Sequence, residues 1–186
     1  MKRYELEQRF RRLFADEYSY VLAYALRRTI NSADAQDIVA ETFMVAWRRI
    51  REAPADAEAR PWLYAIAART LANQRRGRRR IHALRERLRA REPPASEGAL
   101  ASRDEWAAVL AALARLAERE QEVVRLVAWE GLSNRELVAV LGCSENAAAT
   151  RLHRARRKLT AELAKEASAS GHIEAERHPR HGEGTS

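Results

Sequence analysis

The chain has 186 residues, of which 46% are hydrophobic and 32% are charged, and its formal net charge is +8 at pH 7. That length accommodates one ordinary domain or two small ones, and the positive charge favours a polyanionic partner, either nucleic acid or an anionic membrane surface, over a merely basic soluble protein. The single cysteine, Cys143, excludes an internal disulfide framework and predicts no zinc site. Because no apolar stretch is long enough to span a bilayer and no signal-peptide core is present, we expect a cytoplasmic protein without membrane insertion.

Good helix formers dominate the composition, and no segment alternates as a strand would, so the predicted fold class is all-α. A first helix is predicted over about Glu5–Thr29, a second is predicted to be capped by Ser32 or Asp34, and a third to start at Pro61. Together these helices predict a small domain over residues 1–90. Its expected core residues are Phe14, Phe43, Trp47, Trp62 and Ile66.

A second small helical domain is predicted after a break in the pattern. Pro93-Pro94 stop any helix, so residues 91–101 are predicted to be a flexible linker. Helical patterns resume over residues 102–166, and the polar residues 167–186 are predicted to be a disordered tail.

The end of this second domain has the pattern of a helix-turn-helix. A capping box at Ser133 and Glu136 begins a short helix, Gly142 permits a sharp turn, and Ser144 caps a last helix that runs to about Lys165. The last helix is polar and basic, which suits the major groove of DNA, although a plain helical hairpin with a solvated face would give a similar pattern.

Two stretches of the second domain resemble region 4 of the extracytoplasmic function (ECF) sigma factors. They are Gly131-Leu132-Ser133 through Leu141-Gly142, and Arg151-Leu152-His153-Arg154-Ala155-Arg156. The resemblance implies that the last helix reads the −35 promoter element. The implied −35 contacts are Ser144, Asn146, Thr150, Arg151, His153, Arg154 and Arg157.

The first domain resembles region 2 of the same family. The similar stretches are Asp34–Phe43 with Ala46-Trp47-Arg48, and Pro61-Trp62-Leu63-Tyr64 with Ile66-Ala67. By this resemblance, the second helix docks on the β′ clamp helices of RNA polymerase through Asp37, Glu41 and Arg48. The third helix would contact −10 DNA, although its arginine-rich end also fits a merely solvated basic helix. The expected −10 contacts are Arg60, Trp62, Arg69, Asn73, Arg75, Arg76 and Arg79.

The recognition helix departs from the family pattern at Asn146-Ala147-Ala148-Ala149-Thr150. Ala149 stands where a basic residue is usual, which removes a potential contact to a base or phosphate. Ala148 stands where a core valine is usual. We therefore expect a −35 preference that differs from the family average.

The resemblance implies an alternative sigma factor and not an enzyme, without cofactor or metal. Its expected partners are core RNA polymerase (β′ clamp helices and β flap), promoter DNA and an anti-sigma factor. Three alternatives remain open from the residues alone: a dimeric helix-turn-helix regulator, an enzyme acting on nucleic acid, and a protein-interaction bundle. The enzyme would need clustered carboxylates, a metal set or an activated nucleophile, and no such pattern is evident.

Overall fold

The computed structural model describes residues 3–88 and 104–176, with the side chains of 3–55, 57–77 and 106–165. The described residues form α-helices and one short 3₁₀ turn, which confirms the all-α prediction. The helices are α1 (Arg3–Leu26), α2 (Ser32–Arg48), α3 (Ala59–Leu88), α4 (Asp104–Ala114), α5 (Glu118–Ala128), α6 (Asn134–Leu141) and α7 (Glu145–Glu176), and the 3₁₀ turn (Asp56–Glu58) precedes α3.

The predicted linker and the predicted disordered tail can be compared with these bounds only in part. The predicted linker, residues 91–101, lies outside the described residues. Helix α7 continues to Glu176, so residues 167–176 are helical where a disordered tail was predicted. The Ala and Glu residues of this segment are good helix formers, and no proline interrupts it, so the helix continues. Residues 177–186 lie outside the described residues.

Helices α1, α2 and α3 pack on one another around a shared core. Val21, Tyr24, Ile38, Leu63 and Tyr64 are almost completely buried there, and the rings of Tyr24 and Tyr64 stack with centroids 5.0 Å apart. The side chain of Asn31, and not that of Ser32 or Asp34, caps α2 by accepting a hydrogen bond of 2.8 Å from the Asp34 amide.

The predicted core of this domain is only partly correct. Phe43 and Ile66 are buried and Trp62 is half-buried, but Phe14 and Trp47 are each 40% exposed. Both exposed rings lie at the edge of the α1–α2 interface, where Phe14 packs on Phe43 with centroids 4.7 Å apart. Helical periodicity places an aromatic ring on the inward half of a helix, but it does not fix how far the ring reaches over the edge of the core.

Residues Glu130–Ala148 belong to the same compact unit as α1–α3, and within that unit α6 packs on α3. The sequence predicted the first domain to end near residue 90, with α6 in the second. The apolar stripe of a short helix such as α6 predicts that it must be covered but does not identify the surface that covers it.

A second compact unit contains α4, α5 and the part of α7 from Ala149 onward. Its core includes Leu113, Leu116 and Ala155, with Val124, Trp129 and Leu159 packed against them. Trp106 and Leu110 of α4 are 59% and 50% exposed, in contrast to Leu113 on the same helix. The buried face of α4 is therefore restricted to its C-terminal half.

Candidate functional site

The three residues predicted to contact polymerase lie together on one face of α2. Asp37, Glu41 and Arg48 line a surface groove of about 440 Å³. Met44, which is 54% exposed, lies among them, and Gln74 of α3 forms the other side. The spacing of these residues brings both charge signs and one flexible apolar side chain to a single surface. Such a combination is suited to docking another protein.

Trp62 and Arg69 of α3, two of the predicted −10 contacts, line a larger cavity of about 610 Å³. Trp62 is half-buried and Arg69 is exposed. Arg49 and Pro54 border the cavity on one side, and residues Ser133–Ala139 border it on the other. A tryptophan beside arginines provides both a stacking surface and positive charge for a nucleobase.

Arg60 interacts with side chains of α1. Its guanidinium donates to both carboxylate oxygens of Glu17, at 2.7 and 3.3 Å, and lies over the Tyr20 ring at 3.4 Å. The hydrogen bond that Arg60 donates to Glu17 raises the pKa of Arg60, so its charge is stable. Because Glu17 is buried, Arg60 fastens the start of α3 to α1 and has fewer donors available for DNA.

The remaining predicted −10 contacts on α3 differ in their surroundings. Asn73 is exposed and accepts a hydrogen bond from Arg76, which is also exposed. Arg75 is half-buried and donates to the backbone carbonyl of Arg28 at 3.2 Å. Arg79 lies in α3, and its side chain is outside the described part. Among the predicted −10 contacts whose side chains the structure describes, Arg69, Asn73 and Arg76 are therefore the exposed polar residues of this helix.

The predicted turn between α6 and α7 has the expected geometry. The Ser133 amide donates to the Glu136 carboxylate at 2.8 Å, and the Ser133 hydroxyl accepts from the Glu136 amide, which completes the capping box. Gly142 ends α6 with φ 60°, a left-handed conformation that a side chain would strain. Ser144 then accepts from the Ala147 amide and caps α7.

All seven predicted −35 contacts are exposed. The buried stripe of α7 consists of Ala148, Leu152 and Ala155. Four of the seven lie opposite it at spacings of four, three and four residues, which places them in one row along the helix. The four are Asn146, Thr150, His153 and Arg157. Arg151 projects from a different side of the helix, so the seven do not form one surface.

Comparison with known families gives a match for each of the two predicted domains. Residues 13–81 match Sigma-70 region 2, and residues 106–159 match Sigma-70, region 4. The RNA polymerase sigma factor CnrH of Cupriavidus metallidurans is 34% identical over an alignment of 157 residues, which covers 78% of this chain and 82% of that protein. The ECF RNA polymerase sigma factor SigL of Mycobacterium tuberculosis is 31% identical over an alignment of 156 residues, which covers 80% of this chain and 85% of that protein. The chain belongs to the ECF family of RNA polymerase sigma factors.

Solved structures agree with this sigma-factor assignment. The structure of CnrH in complex with the cytosolic domain of CnrY matches with a TM-score of 0.59 and 29% identity, over 84% of this chain and 88% of that one. The sigma factor RpoE in complex with the anti-sigma factor NepR from Bartonella quintana matches in fold, with a TM-score of 0.63 and 23% identity, over 83% of this chain and 96% of that one.

Two acidic residues of this sigma factor were missed by sequence reasoning. Glu17 pairs with Arg60, 43 positions away, and Glu130 pairs with Arg27 and Arg28, more than 100 positions away. Burial raises the pKa of Tyr64 to about 12, and the negative charge of Glu130 acts in the same direction. A charge pair so distant along the chain leaves no local pattern, so no signal in a single sequence could have found either residue.

The structure describes no metal site and no membrane span for this sigma factor. No three His, Cys, Asp or Glu side chains in the described part of the chain are grouped so that they could hold a metal ion. None of the described helices is long and apolar enough to cross a membrane.

Proposed function

We propose that this sigma factor directs core RNA polymerase to its promoters by binding the −35 element with α7 and the −10 element with α3, and that it promotes melting of the −10 DNA. The observation that carries the proposal is the exposed row on α7, opposite a fully buried stripe. A helix built in this way presents polar and cationic side chains to the major groove while its other face is fixed in the protein.

For the −35 element, the row of Asn146, Thr150, His153 and Arg157 supplies groups that hydrogen-bond to base edges. Asn and Arg make bidentate contacts with adenine and guanine, and Thr contacts bases or a thymine methyl. Arg154, which lies beside the row, is placed for phosphates, whereas Arg151 projects from a different side of the helix and is not part of this surface. Ser144 serves first as the α7 cap, so its contribution to DNA binding is secondary.

For the −10 element, the proposal rests on Trp62, Arg69, Asn73 and Arg76. A melted strand needs an aromatic surface for an unstacked base and cations along its backbone, and α3 carries both. Arg60 acts here as a positioning residue, because its pair with Glu17 fixes the backbone that precedes Trp62. No bond is made or broken in this process, so the proposed role is not that of an enzyme.

For the polymerase, the groove lined by Asp37, Glu41 and Arg48 is the proposed docking surface, with the β′ clamp helices as its partner. The second domain would contact the β flap. An anti-sigma factor is a further proposed partner, because CnrH and RpoE have both been solved with a partner protein, CnrY and the anti-sigma factor NepR respectively. Binding to polymerase and DNA would place the protein in the cytoplasm.

Run-off transcription from genomic fragments tests the proposal. We expect core polymerase to initiate at new, mapped start sites when the protein is added and not without it. Asp37→Ala combined with Arg48→Ala should reduce co-purification with core polymerase, while Asp34→Ala on the same helix serves as a control outside the groove. Failure of the wild-type protein to stimulate initiation at any fragment would contradict the proposal, and DNA binding without polymerase would favour a conventional regulator.

A further inference from the structure

The loop between α2 and α3 has few side chains that could fix its own path. Pro54, Ala55 and Ala57 carry no hydrogen-bonding group in their side chains. The 3₁₀ turn is closed within the loop, by a bond of 3.3 Å from the Glu58 amide to the Ala55 carbonyl. A segment with so few contacts of its own is displaced at little cost, so the position of residues 53–58 depends on what neighbouring elements supply.

Two polar contacts with α1 hold the ends of this loop. The Arg9 guanidinium donates to the carbonyl of Ala53, near the start of the loop. Just after the loop, Arg60 donates to the Glu17 carboxylate. Ala53 and Glu17 are buried, and both arginines are half-buried. Because each bond involves a charged group, it is stronger than a bond between neutral partners.

A cavity of about 870 Å³ lies between the loop and α1. Arg12 and Asp16 line its α1 side, and Pro54 and Ala57 line its loop side. The two anchoring residues of α1 are about 12 Å apart along the helix axis, whereas residues 53–60 would span roughly 24 Å if they were extended. The loop is therefore held short of its full length and arches over the cavity.

The opposite side of the same loop faces the cavity that contains Trp62 and Arg69. Pro54 and Ala57 line both cavities, so the loop is a wall one layer thick between them. A wall backed by close-packed side chains resists displacement, but this one is backed by open space. The two tethers to α1 therefore set the width of the cavity that is proposed to receive an unstacked base.

We propose that Arg9 and Glu17 are positioning residues for −10 recognition, which hold the α2–α3 loop at the distance from Trp62 that admits the correct base. This role deepens the proposed function and rests on it. Both residues act through the loop backbone and not by contact with DNA. A wall held in one place rejects a wrong base by steric clash and by leaving polar groups unpaired, whereas a displaced wall accepts several bases.

Transcription from promoters with substituted −10 bases tests this role. Each base of the −10 element of a promoter mapped by run-off transcription is replaced in turn. Discrimination is the ratio of initiation at the original sequence to initiation at the substituted one. With core polymerase and Arg9→Met, this ratio should fall about fivefold at the position that the wild-type protein reads most strictly, which is the effect of losing one hydrogen bond. The ratio for −35 substitutions should keep its wild-type value.

Three further variants separate positioning from charge. Arg12→Met removes an equal charge from the same side of the cavity at an exposed position, so its −10 discrimination should equal that of the wild type. Arg9→Lys keeps a cationic donor for the Ala53 carbonyl and should retain most of the discrimination. Glu17→Gln keeps the shape of the side chain but removes the charge that holds Arg60, so it should behave like Arg9→Met.

Hydrogen exchange of the free protein measures the loop without polymerase or DNA. The amides of residues 53–58 should exchange faster in Arg9→Met than in the wild type, while those of α2 and α3 keep their protection. Loss of protection throughout α2 and α3 would show unfolding of the domain and would contradict a role confined to the loop.

Unchanged −10 discrimination in Arg9→Met, with an active wild-type protein, would overturn the positioning role alone. An equal loss in Arg12→Met would also overturn it, because the effect would then be one of charge. A wild-type protein that stimulates initiation at no promoter would contradict the proposed function and with it the −10 role, even where loop exchange responds to Arg9→Met as expected.

Discussion

The two proposed DNA-binding helices, α3 and α7, differ in how far the protein itself occupies their polar residues. On α7 all seven predicted contacts are exposed, whereas on α3 Arg60 pairs with Glu17, Arg75 bonds the Arg28 carbonyl and Trp62 borders a cavity closed on one side by α6. A basic helix in a sequence therefore gives an upper limit to the cations available for DNA. Intramolecular acceptors decide how many remain.

The largest expected effect comes from removing the acceptor that occupies Arg60. Glu17→Ala should lower the free energy of unfolding by about 2–3 kcal/mol, because it leaves a partly buried guanidinium without its carboxylate. Urea denaturation measures this change. Glu7→Ala, which breaks the exposed pair with Arg3, is the matched control and should cost about 0.5 kcal/mol or less. Equal losses in the two variants would show that Arg60 is not held as described.

The row on α7 is tested by truncating one member. Arg157→Ala should weaken binding to a −35 duplex roughly tenfold and relax its sequence preference, because a base-edge contact is lost. Arg156→Ala removes the same charge from a neighbouring exposed position off the row. Fluorescence anisotropy with specific and scrambled duplexes should show that only Arg157→Ala reduces discrimination between them, and identical behaviour of the two variants would contradict the row.

A glycine lies within α3 and another lies just before α7, and replacing each by alanine should change the stability in opposite directions. Gly142 precedes α7 with φ 60°, so Gly142→Ala should destabilise the protein by about 1 kcal/mol through backbone strain. Gly77 lies within α3 with nothing near its missing side chain, so Gly77→Ala should stabilise by roughly 0.5–1 kcal/mol. Thermal unfolding compares the two, and a gain of stability from Gly142→Ala would contradict the turn geometry.

The smallest effect concerns the departure from the family pattern in α7. Ala149→Lys restores a cation next to the proposed row and should steepen the dependence of log affinity on log salt by about one. Ala149→Gln provides a side chain of similar reach without the charge. If both variants give the wild-type slope, position 149 does not face DNA.

Local sequence patterns were sufficient for the elements and for several caps. Ser133 with Glu136, Gly142 and Ser144 behave as predicted because each depends only on residues within one turn of helix. The pattern did not reveal that Trp47 lies at the edge of the core, that α6 packs on α3, or that Glu130 is buried. Each of those facts depends on surfaces supplied by residues distant along the chain, and amphipathicity identifies a face to be covered but not its partner.

Permanganate footprinting of a promoter mapped by run-off transcription tests the central claim most directly, because permanganate oxidises thymines in melted DNA. We predict reactive thymines at the −10 element with core polymerase plus the wild-type protein, none above background with core alone, and a marked loss with Trp62→Ala. Thymines that remain unreactive with the wild-type protein would contradict promoter melting by this sigma factor.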